Sequence, residues 1–261
     1  GQNVDSYLWY GGGMKKDFSK SSDIQQKTAI NFSKLLTLVA ENYSKIRIRF
    51  STSNPQDMSI DVLHTMAKYD NICKYIHLPV QSGSDSILKK MNRLHTRKEY
   101  FNLIDNIRAI LPDCGISQDM IAGFPTETEE DHNDTLSLMD YVKYDFGFMF
   151  SYSERPGTLA ARKIIDDVPE KTKKSRLQEI ISLQLKHSKY RTNQYINKIV
   201  CVLVEKVSKK SEDEWSGRTT QNTTVVFPKE NYSIGDFVDV KIESVTSATL
   251  KGHAIDYSKK I

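Results

Sequence analysis

Three polar side chains that could together bind a small charged ligand are Gln81, Arg93 and Asp119. The amide of Gln81 both donates and accepts hydrogen bonds, and Gly83 lets a ligand approach the backbone closely. The planar guanidinium of Arg93 suits a carboxylate. Asp119 lies in an apolar stretch, where a carboxylate is costly unless it is hydrogen-bonded or faces a ligand. The pattern predicts a ligand site, but a strand cap, a turn and a surface arginine would also explain it.

These side chains lie at or near the ends of predicted β-strands. The apolar run 75–80 stops at Gln81, the run 115–123 contains Asp119 and stops at a glycine, and the run 146–152 is followed by Ser153. The carboxyl ends of parallel strands share one edge of a sheet, and ligands bind there. We therefore expect the three strand ends to meet around a single hollow.

Units of strand, turn and helix recur along the first part of the chain. Apolar periodicity predicts helices over 22–42, 60–68, 96–111 and 126–142, and strands over 45–52, 75–80, 115–123 and 146–152. Such repeats with long crossovers are typical of an α/β fold with a parallel sheet, in a TIM-type barrel or an open doubly wound form.

The pattern changes after Pro169, which suits the first position of a helix. One long helix is predicted over 170–195. Short strands follow, over 199–204, 215–219, 223–227, 237–244 and 248–255. This spacing predicts a small antiparallel barrel or sandwich. We place two domains at 1–191 and 192–257.

Composition is that of an ordinary soluble globular protein, with 38% hydrophobic and 27% charged residues. No apolar run approaches the roughly 20 residues of a membrane helix, and no signal peptide opens the chain, so a cytoplasmic protein is expected. Cys73, Cys114 and Cys201 lie too far apart in sequence for a metal loop. They are interpreted as structural thiols, and no metal site is predicted.

Basic residues are concentrated in the last part of the chain. From Glu170 onward there are 17 Lys and Arg against 11 Asp and Glu. Several of these cations lie near aromatic residues, namely Lys206, Lys209, Lys210, Arg218 and Lys229 near Trp215, Phe227 and Tyr232. Basic and aromatic residues on a small β-barrel favour nucleic-acid binding through phosphate contacts and base stacking. A solvated lysine-rich surface is the other interpretation.

Five motifs distributed along most of the chain resemble the radical S-adenosylmethionine methylthiotransferases, and most closely their tRNA-modifying, MiaB-type branch. They are residues 49–57 (RFSTSNPQD), 76–84 (IHLPVQSGS), 91–96 (MNRLHT), 119–131 (DMIAGFPTETEED) and 151–158 (SYSERPGT). Gly217-Arg218, Asn222 and 225–227 add a sixth match. The branch that modifies a ribosomal protein is a weaker match.

The resemblance implies a partial TIM-type radical SAM barrel with parallel strands, followed by a small all-β TRAM barrel that contacts tRNA. It implies methylthiolation of carbon 2 of N6-isopentenyladenosine beside the anticodon, with S-adenosylmethionine and two 4Fe–4S clusters. The implied partners are the tRNA anticodon stem-loop and a reducing electron donor, with no membrane. Alternatives are an RNA-binding module alone, a sister-branch enzyme acting on another tRNA adenosine or a ribosomal protein, or a self-contained α/β enzyme using Asp119 and Arg93 on another nucleotide.

The resemblance also implies which residues bind the cofactor. The implied cofactor-binding residues are Asn3, Ser51, Ser53, Gln81, Ser82, Arg93, Asp119, Ile121, Gly123, Tyr152 and Ser153. Asn3 corresponds to a strand end near the amino group of the methionine part, and Ile121 and Gly123 to the adenine site. The basic and aromatic pattern, together with the match at Arg218 and Asn222, predicts these RNA-binding residues: Lys206, Lys209, Lys210, Trp215, Arg218 and Asn222.

The cluster ligands of this family are missing from the sequence. Neither the CxxxCxxC loop nor the three cysteines that bind the second cluster occur, and a 4Fe–4S cluster needs converging thiolates that Cys73, Cys114 and Cys201 do not provide. We therefore expect these 261 residues to be the carboxyl-terminal part of such an enzyme, catalytically inactive alone and without a catalytic residue of its own.

Overall fold

A computed structural model describes residues 3–259. The first part contains seven named helices and five strands. They are α1 (Asp23–Thr28), α2 (Phe32–Asn42), α3 (Ile60–Lys68), α4 (Asp85–Lys90), α5 (Arg97–Ile110), α6 (Glu129–Val142) and α7 (Leu159–Lys163), and β1 (Leu8–Trp9), β2 (Ile30–Asn31), β3 (Tyr75–His77), β4 (Gly115–Ala122) and β5 (Phe146–Ser151). Two short 3₁₀ segments, Val4–Ser6 and Lys15–Lys20, precede α1.

The central sheet has three parallel strands in the order β3, β4, β5. Tyr75 pairs with Gly115 and Ser117 pairs with Phe146, so all three strands run to the same edge. Buried apolar side chains of α2, α3, α5 and α6 pack on this sheet to form the main core. The predicted α/β fold with parallel strands is confirmed.

Two predicted elements differ in the structure. The region 45–52 pairs only locally, through a bridge between Ile48 and Ile72 just before β3, and Thr52 adopts a φ of 63° that no regular strand tolerates. The predicted helix 22–42 is two helices, α1 and α2, because the chain leaves α1 at Ala29 to form β2, which pairs with β1.

Helix starts follow side-chain capping. Thr96 and Glu99 form a capping box at the start of α5, where the sequence predicts a helix to begin. The capping box of α6 is formed by Thr128 and Asp131, so this helix begins at Glu129 and not at the predicted residue 126, where Thr126 has a left-handed φ of 71°.

The second part consists of the long helix α8 (Glu170–Asn193) and a closed five-stranded barrel. The strands are β6 (Ile199–Val207), β7 (Glu214–Arg218), β8 (Thr224–Pro228), β9 (Phe237–Val245) and β10 (Thr249–Tyr257). The barrel is closed by a parallel pairing of β8 with β10, whereas the other pairings are antiparallel. The predicted division at residue 191 falls in the last turn of α8 and stays a prediction.

The barrel packs against the amino ends of the central strands through the turn that joins β7 to β8. The Lys74 amide donates to Thr220 Oγ1 at 3.0 Å, just before β3. Gly115, at the start of β4, lies so close to Gln221 that a Cβ there would be 2.6 Å from its carbonyl oxygen. We call these contacts, together with those of Arg47 and Arg218 below, the joint.

None of the helices within residues 3–259 is long and apolar enough to cross a membrane.

Candidate functional site

A cleft of about 700 Å³ opens at the carboxyl ends of the central strands. Its size is typical of a site for a nucleotide-sized ligand. The predicted residues that line it are Gln81, Arg93, Asp119, Ile121, Tyr152 and Ser153. The joint lies at the other end of the same strands, so the cleft is separated from the β-barrel by the sheet.

Gln81 is held at the rim by its backbone. Its amide donates to the carbonyl of Asp119 at 2.9 Å, and its carbonyl accepts from Ile121 at 3.0 Å. Its φ of 73° is uncommon for a residue other than glycine and costs on the order of 1 kcal/mol. Such strain is frequent at ligand sites, where the surrounding structure fixes it.

Asp119 faces the cleft because side chains alternate along β4. Asp119 and Ile121 are half-buried, whereas Met120 and Ala122 are buried on the opposite face. Asp119 Oδ1 lies 3.5 Å from Nε2 of His77, whose Nδ1 lies 2.8 Å from the hydroxyl of Ser117. This partly exposed carboxylate can accept hydrogen bonds from a ligand's hydroxyl or amino group.

Arg93 supplies positive charge to the cleft, which Lys90 and Arg155 also line. Burial lowers the pKa of its guanidinium, and the nearby charge of Asp119 partly offsets that effect. Within residues 3–259 the guanidinium makes neither a hydrogen bond nor an ion pair, although the side chain is only half-exposed. Opposite charges on one cleft suit a ligand with both a carboxylate and hydrogen-bond donors.

One wall of the cleft is apolar. Phe124 and Tyr152 meet edge to face with ring centroids 5.1 Å apart, and Ile121 and Phe150 continue the wall. Aromatic and branched side chains of this kind can enclose a flat heterocycle. Sequence reasoning did not select Phe124 or Phe150, although Phe124 follows the glycine that ends β4.

Five of the predicted cofactor residues do not line the cleft: Asn3, Ser51, Ser53, Ser82 and Gly123. Ser82 is buried against Thr135 of α6, because adjacent residues point in opposite directions. Gly123 packs on the stem of Lys173, and Asn3 donates to Asp57 at 2.9 Å. Ser53 is buried beside β3, and Ser51 is exposed.

The predicted RNA-binding residues are dispersed over the β-barrel. Lys206, Lys209 and Lys210 are exposed at the end of β6 and in the following turn. Trp215 is only 8% exposed and belongs to the barrel core, with Lys229 Nζ 4.7 Å from its ring centroid. As a correction, this indole cannot offer an open face for base stacking.

Arg218 and Asn222 lie at the joint, and their assignment to RNA binding stays a prediction. Arg218 Nη1 donates to Oδ1 of Asn222 at 2.9 Å, and Arg218 Nε lies 3.3 Å from Glu205. The carbonyl of Arg218 accepts from Arg47 Nη1 at 2.6 Å, and the Arg47 guanidinium lies 4.9 Å from the ring centroid of Phe237. These polar groups are therefore used within the protein.

The described residues do not suit an iron–sulfur cluster. No group of three or more His, Cys, Asp or Glu side chains that could hold a metal ion occurs within residues 3–259. Cys73 and Cys114 are buried, and burial raises the pKa of the Cys114 thiol to about 12, which disfavours the thiolate that iron needs.

Comparisons with known proteins agree with the two-part architecture. Residues 23–139 match the Radical SAM superfamily, and residues 193–255 match the TRAM domain. The two matched regions follow one another along the chain in the order that the motifs predicted. The resemblance drawn from the motifs and the prediction of a radical SAM barrel followed by a TRAM barrel are confirmed.

The similar curated proteins are named tRNA-2-methylthio-N(6)-dimethylallyladenosine synthase. The one from Christiangramia forsetii is 70% identical over 99% of this chain and 54% of its own length. The one from Bacteroides fragilis is 49% identical over 98% of this chain and 53% of its own length. The chain therefore spans about half the length of the curated relatives it matches.

A solved radical SAM enzyme, coproporphyrinogen III oxidase (HemN) from Escherichia coli, is 18% identical over 77% of this chain and 52% of that chain. Its TM-score with this chain is 0.49.

Proposed function

We propose that this chain forms the S-adenosylmethionine-binding and RNA-binding parts of a tRNA methylthiotransferase, which adds a methylthio group to carbon 2 of N6-isopentenyladenosine next to the anticodon. The observation that carries the proposal is the meeting of Gln81, Arg93 and Asp119, from three separate segments, on one cleft. The name of the relatives, which share up to 70% of the aligned residues, supports this reaction and substrate.

The cleft residues fit the two ends of the cofactor. Arg93 has no protein partner within the described residues and would bind the carboxylate, while Gln81 and Asp119 would hold the ribose and amino groups. Ile121, with Phe124 and Tyr152, would enclose the adenine and exclude water from it. S-adenosylmethionine, when it lies beside a reduced iron–sulfur cluster, supplies the radical chemistry of the superfamily.

The clusters do not fit the side chains of this chain. We propose that the whole enzyme holds two 4Fe–4S clusters and accepts electrons from a reducing donor, and that residues 1–261 alone are inactive. Anaerobic treatment of this protein with iron and sulfide should leave it colourless. A brown, cluster-like chromophore that stays bound through gel filtration would contradict this part of the proposal.

The proposed partner is the anticodon stem-loop of tRNA, bound in part by the TRAM barrel. Lys206, Lys209 and Lys210 form an exposed cationic group suited to phosphates. A cytoplasmic location would follow from such a substrate.

The test is a comparison of two ligands by titration calorimetry. S-adenosylhomocysteine carries the carboxylate and amino group, whereas methylthioadenosine keeps only the adenosine half. Changing Arg93 to Met should weaken binding of S-adenosylhomocysteine by roughly tenfold or more, and that of methylthioadenosine much less. Asp113→Asn, an exposed change before β4, is the control and should alter neither affinity. Equal losses for both ligands in Arg93→Met would contradict the carboxylate assignment.

The TRAM match supports a second candidate, an RNA-binding module without a nucleotide site. That candidate requires tRNA binding by the wild type and no affinity for S-adenosylhomocysteine. A competition experiment between two tRNA stem-loops distinguishes the proposed enzyme from one of the sister branch. The proposed enzyme should bind a stem-loop with the isopentenyl group more tightly than the same stem-loop without it.

A further inference from the structure

Lys173 is a lysine almost fully removed from solvent, with 2% of its side chain exposed. Its ammonium lies 2.5 Å from a carboxylate oxygen of Asp166 and 2.8 Å from one of Glu170. Lysine is rarely this buried unless its charge is paired. The two carboxylates belong to exposed residues, so the buried ammonium of Lys173 holds these carboxylates in place.

Asp166 belongs to a segment that borders the cleft. We call residues 153–168 the strap; it contains α7, and its residues Ser153, Arg155, Thr158, Leu159 and Ala160 line the cleft. Besides the pairing of Asp166 with Lys173, a hydrogen bond joins the strap to the Gly123–Glu127 turn. In it the Thr126 amide donates to Asp167 at 2.6 Å. Most strap residues are exposed, so few contacts hold it in place.

The stem of Lys173 also supports the apolar wall of the cleft. A Cβ on Gly123 would lie 2.4 Å from Cγ of Lys173, so the glycine and the stem are in direct contact. The ammonium lies 5.6 Å from the ring centroid of Tyr152, which packs against Phe124. One side chain therefore contacts the strap, the turn after β4 and the ring after β5.

We propose that Lys173 is a positioning residue for the cleft: its ammonium holds the strap through Asp166, and its stem sets the wall formed by Phe124 and Tyr152. This inference rests on the proposed cofactor site. It predicts that Lys173 acts on the adenosine half of the ligand, whereas Arg93 acts on the carboxylate.

The experiment uses Lys173→Met, which keeps the buried stem and removes the charge, and Asp166→Asn, which breaks the same tie from an exposed residue and is less disruptive to folding. Asp166→Glu keeps the carboxylate, and Lys174→Met changes the exposed neighbour of Lys173; both serve as controls. Two quantities are measured: the affinities for S-adenosylhomocysteine and methylthioadenosine, and the rate of tryptic cleavage after Arg162 and Lys163 in the ligand-free protein.

We expect Lys173→Met to lower the affinities for S-adenosylhomocysteine and methylthioadenosine by a similar factor, on the order of tenfold. Lys173→Met and Asp166→Asn should both speed cleavage in the strap, and both controls should behave as the wild type. Cleavage at the wild-type rate in both variants, or loss of affinity for S-adenosylhomocysteine alone, would overturn the inference. If the wild type binds neither ligand, the proposed cofactor site fails, and the cleavage rates still decide whether Lys173 holds the strap.

Discussion

Two arginines at opposite ends of the same sheet are used in different ways. Arg93 at the cleft has no hydrogen-bond or ion-pair partner within the described residues, and only the field of Asp119 opposes its desolvation. Arg218 at the joint contacts Glu205 and Asn222 through its guanidinium, and its carbonyl accepts from Arg47. An arginine left unpaired in a cleft indicates a ligand, whereas one that pairs with neighbouring residues helps to hold the protein together.

The largest expected effect separates these two arginines directly. Arg93→Met should abolish most binding of S-adenosylhomocysteine, through loss of about 1.5–3 kcal/mol of charge-assisted hydrogen bonding, and should leave the melting temperature nearly unchanged. Arg218→Met should do the reverse, lowering the free energy of unfolding by about 1–2 kcal/mol with the ligand affinity intact. Calorimetry and urea unfolding on both variants measure the two quantities. If Arg218→Met weakens the ligand as much as Arg93→Met, the two ends of the sheet are not independent.

A second substitution tests whether the joint fixes the β-barrel in place. Arg47 reaches the barrel from the region 45–52, which is far from it in sequence. Arg47→Met should cost about 1–3 kcal/mol, because it removes the bond to the Arg218 carbonyl and the contact with the Phe237 ring. The radical SAM part and the barrel should then unfold in two separate thermal transitions. A single transition at the wild-type temperature would show that Arg47 does not hold the joint, and Lys45→Met, an exposed change on the same segment, is the control.

A third change sharpens the contrast between the exposed lysines and the paired residues of the barrel. Replacing Lys206, Lys209 and Lys210 together by alanine should weaken tRNA binding and reduce the slope of log affinity against log salt by about 2–3. Trp215→Phe should leave the slope unchanged, because the buried indole does not contact phosphate. Gel shifts over a series of salt concentrations measure both. A triple variant with the wild-type slope would place the RNA surface elsewhere.

The smallest effect concerns the reactivity of the cysteines. Burial raises the pKa of Cys114 to about 12, so at neutral pH it stays a thiol, and its reaction with a disulfide reagent should be slow and should accelerate as pH rises. Cys201 is half-buried and lies 3.6 Å from Nη2 of Arg47. Arg47→Met removes a cation that favours the reactive thiolate, so it should slow labelling of Cys201, as measured by mass spectrometry. Faster labelling of Cys73, Cys114 and Cys201 together would indicate general unfolding instead.

The sequence was most informative where strands are parallel. Alternation along β4 places Asp119 and Ile121 on one face, and a shared strand direction brings Gln81 and Tyr152 to the same rim. The shared strand direction does not show which of two adjacent residues faces the cleft. Ser82, next to Gln81, points towards α6 instead. A family motif names neighbouring residues without separating those that bind from those that pack.

Other features depend on contacts that no local pattern encodes. The strand predicted over 45–52 pairs only at Ile48, since its backbone turns sharply at Thr52. The joint brings Arg47 into contact with Arg218, which is far from it in sequence. Trp215, which the sequence analysis assigned to RNA binding, lies in the core of the closed barrel. Basic and aromatic residues close in sequence are therefore weaker guides to a surface than strand ends are to a cleft.

The most direct test of the central claim is a crystal structure of this protein with S-adenosylhomocysteine. The ligand carboxylate should lie within hydrogen-bond distance of Arg93, about 3 Å, with the adenine against Ile121 and Phe124. A ligand bound in the joint, or one in the cleft that contacts neither Arg93 nor Asp119, would contradict the assignment.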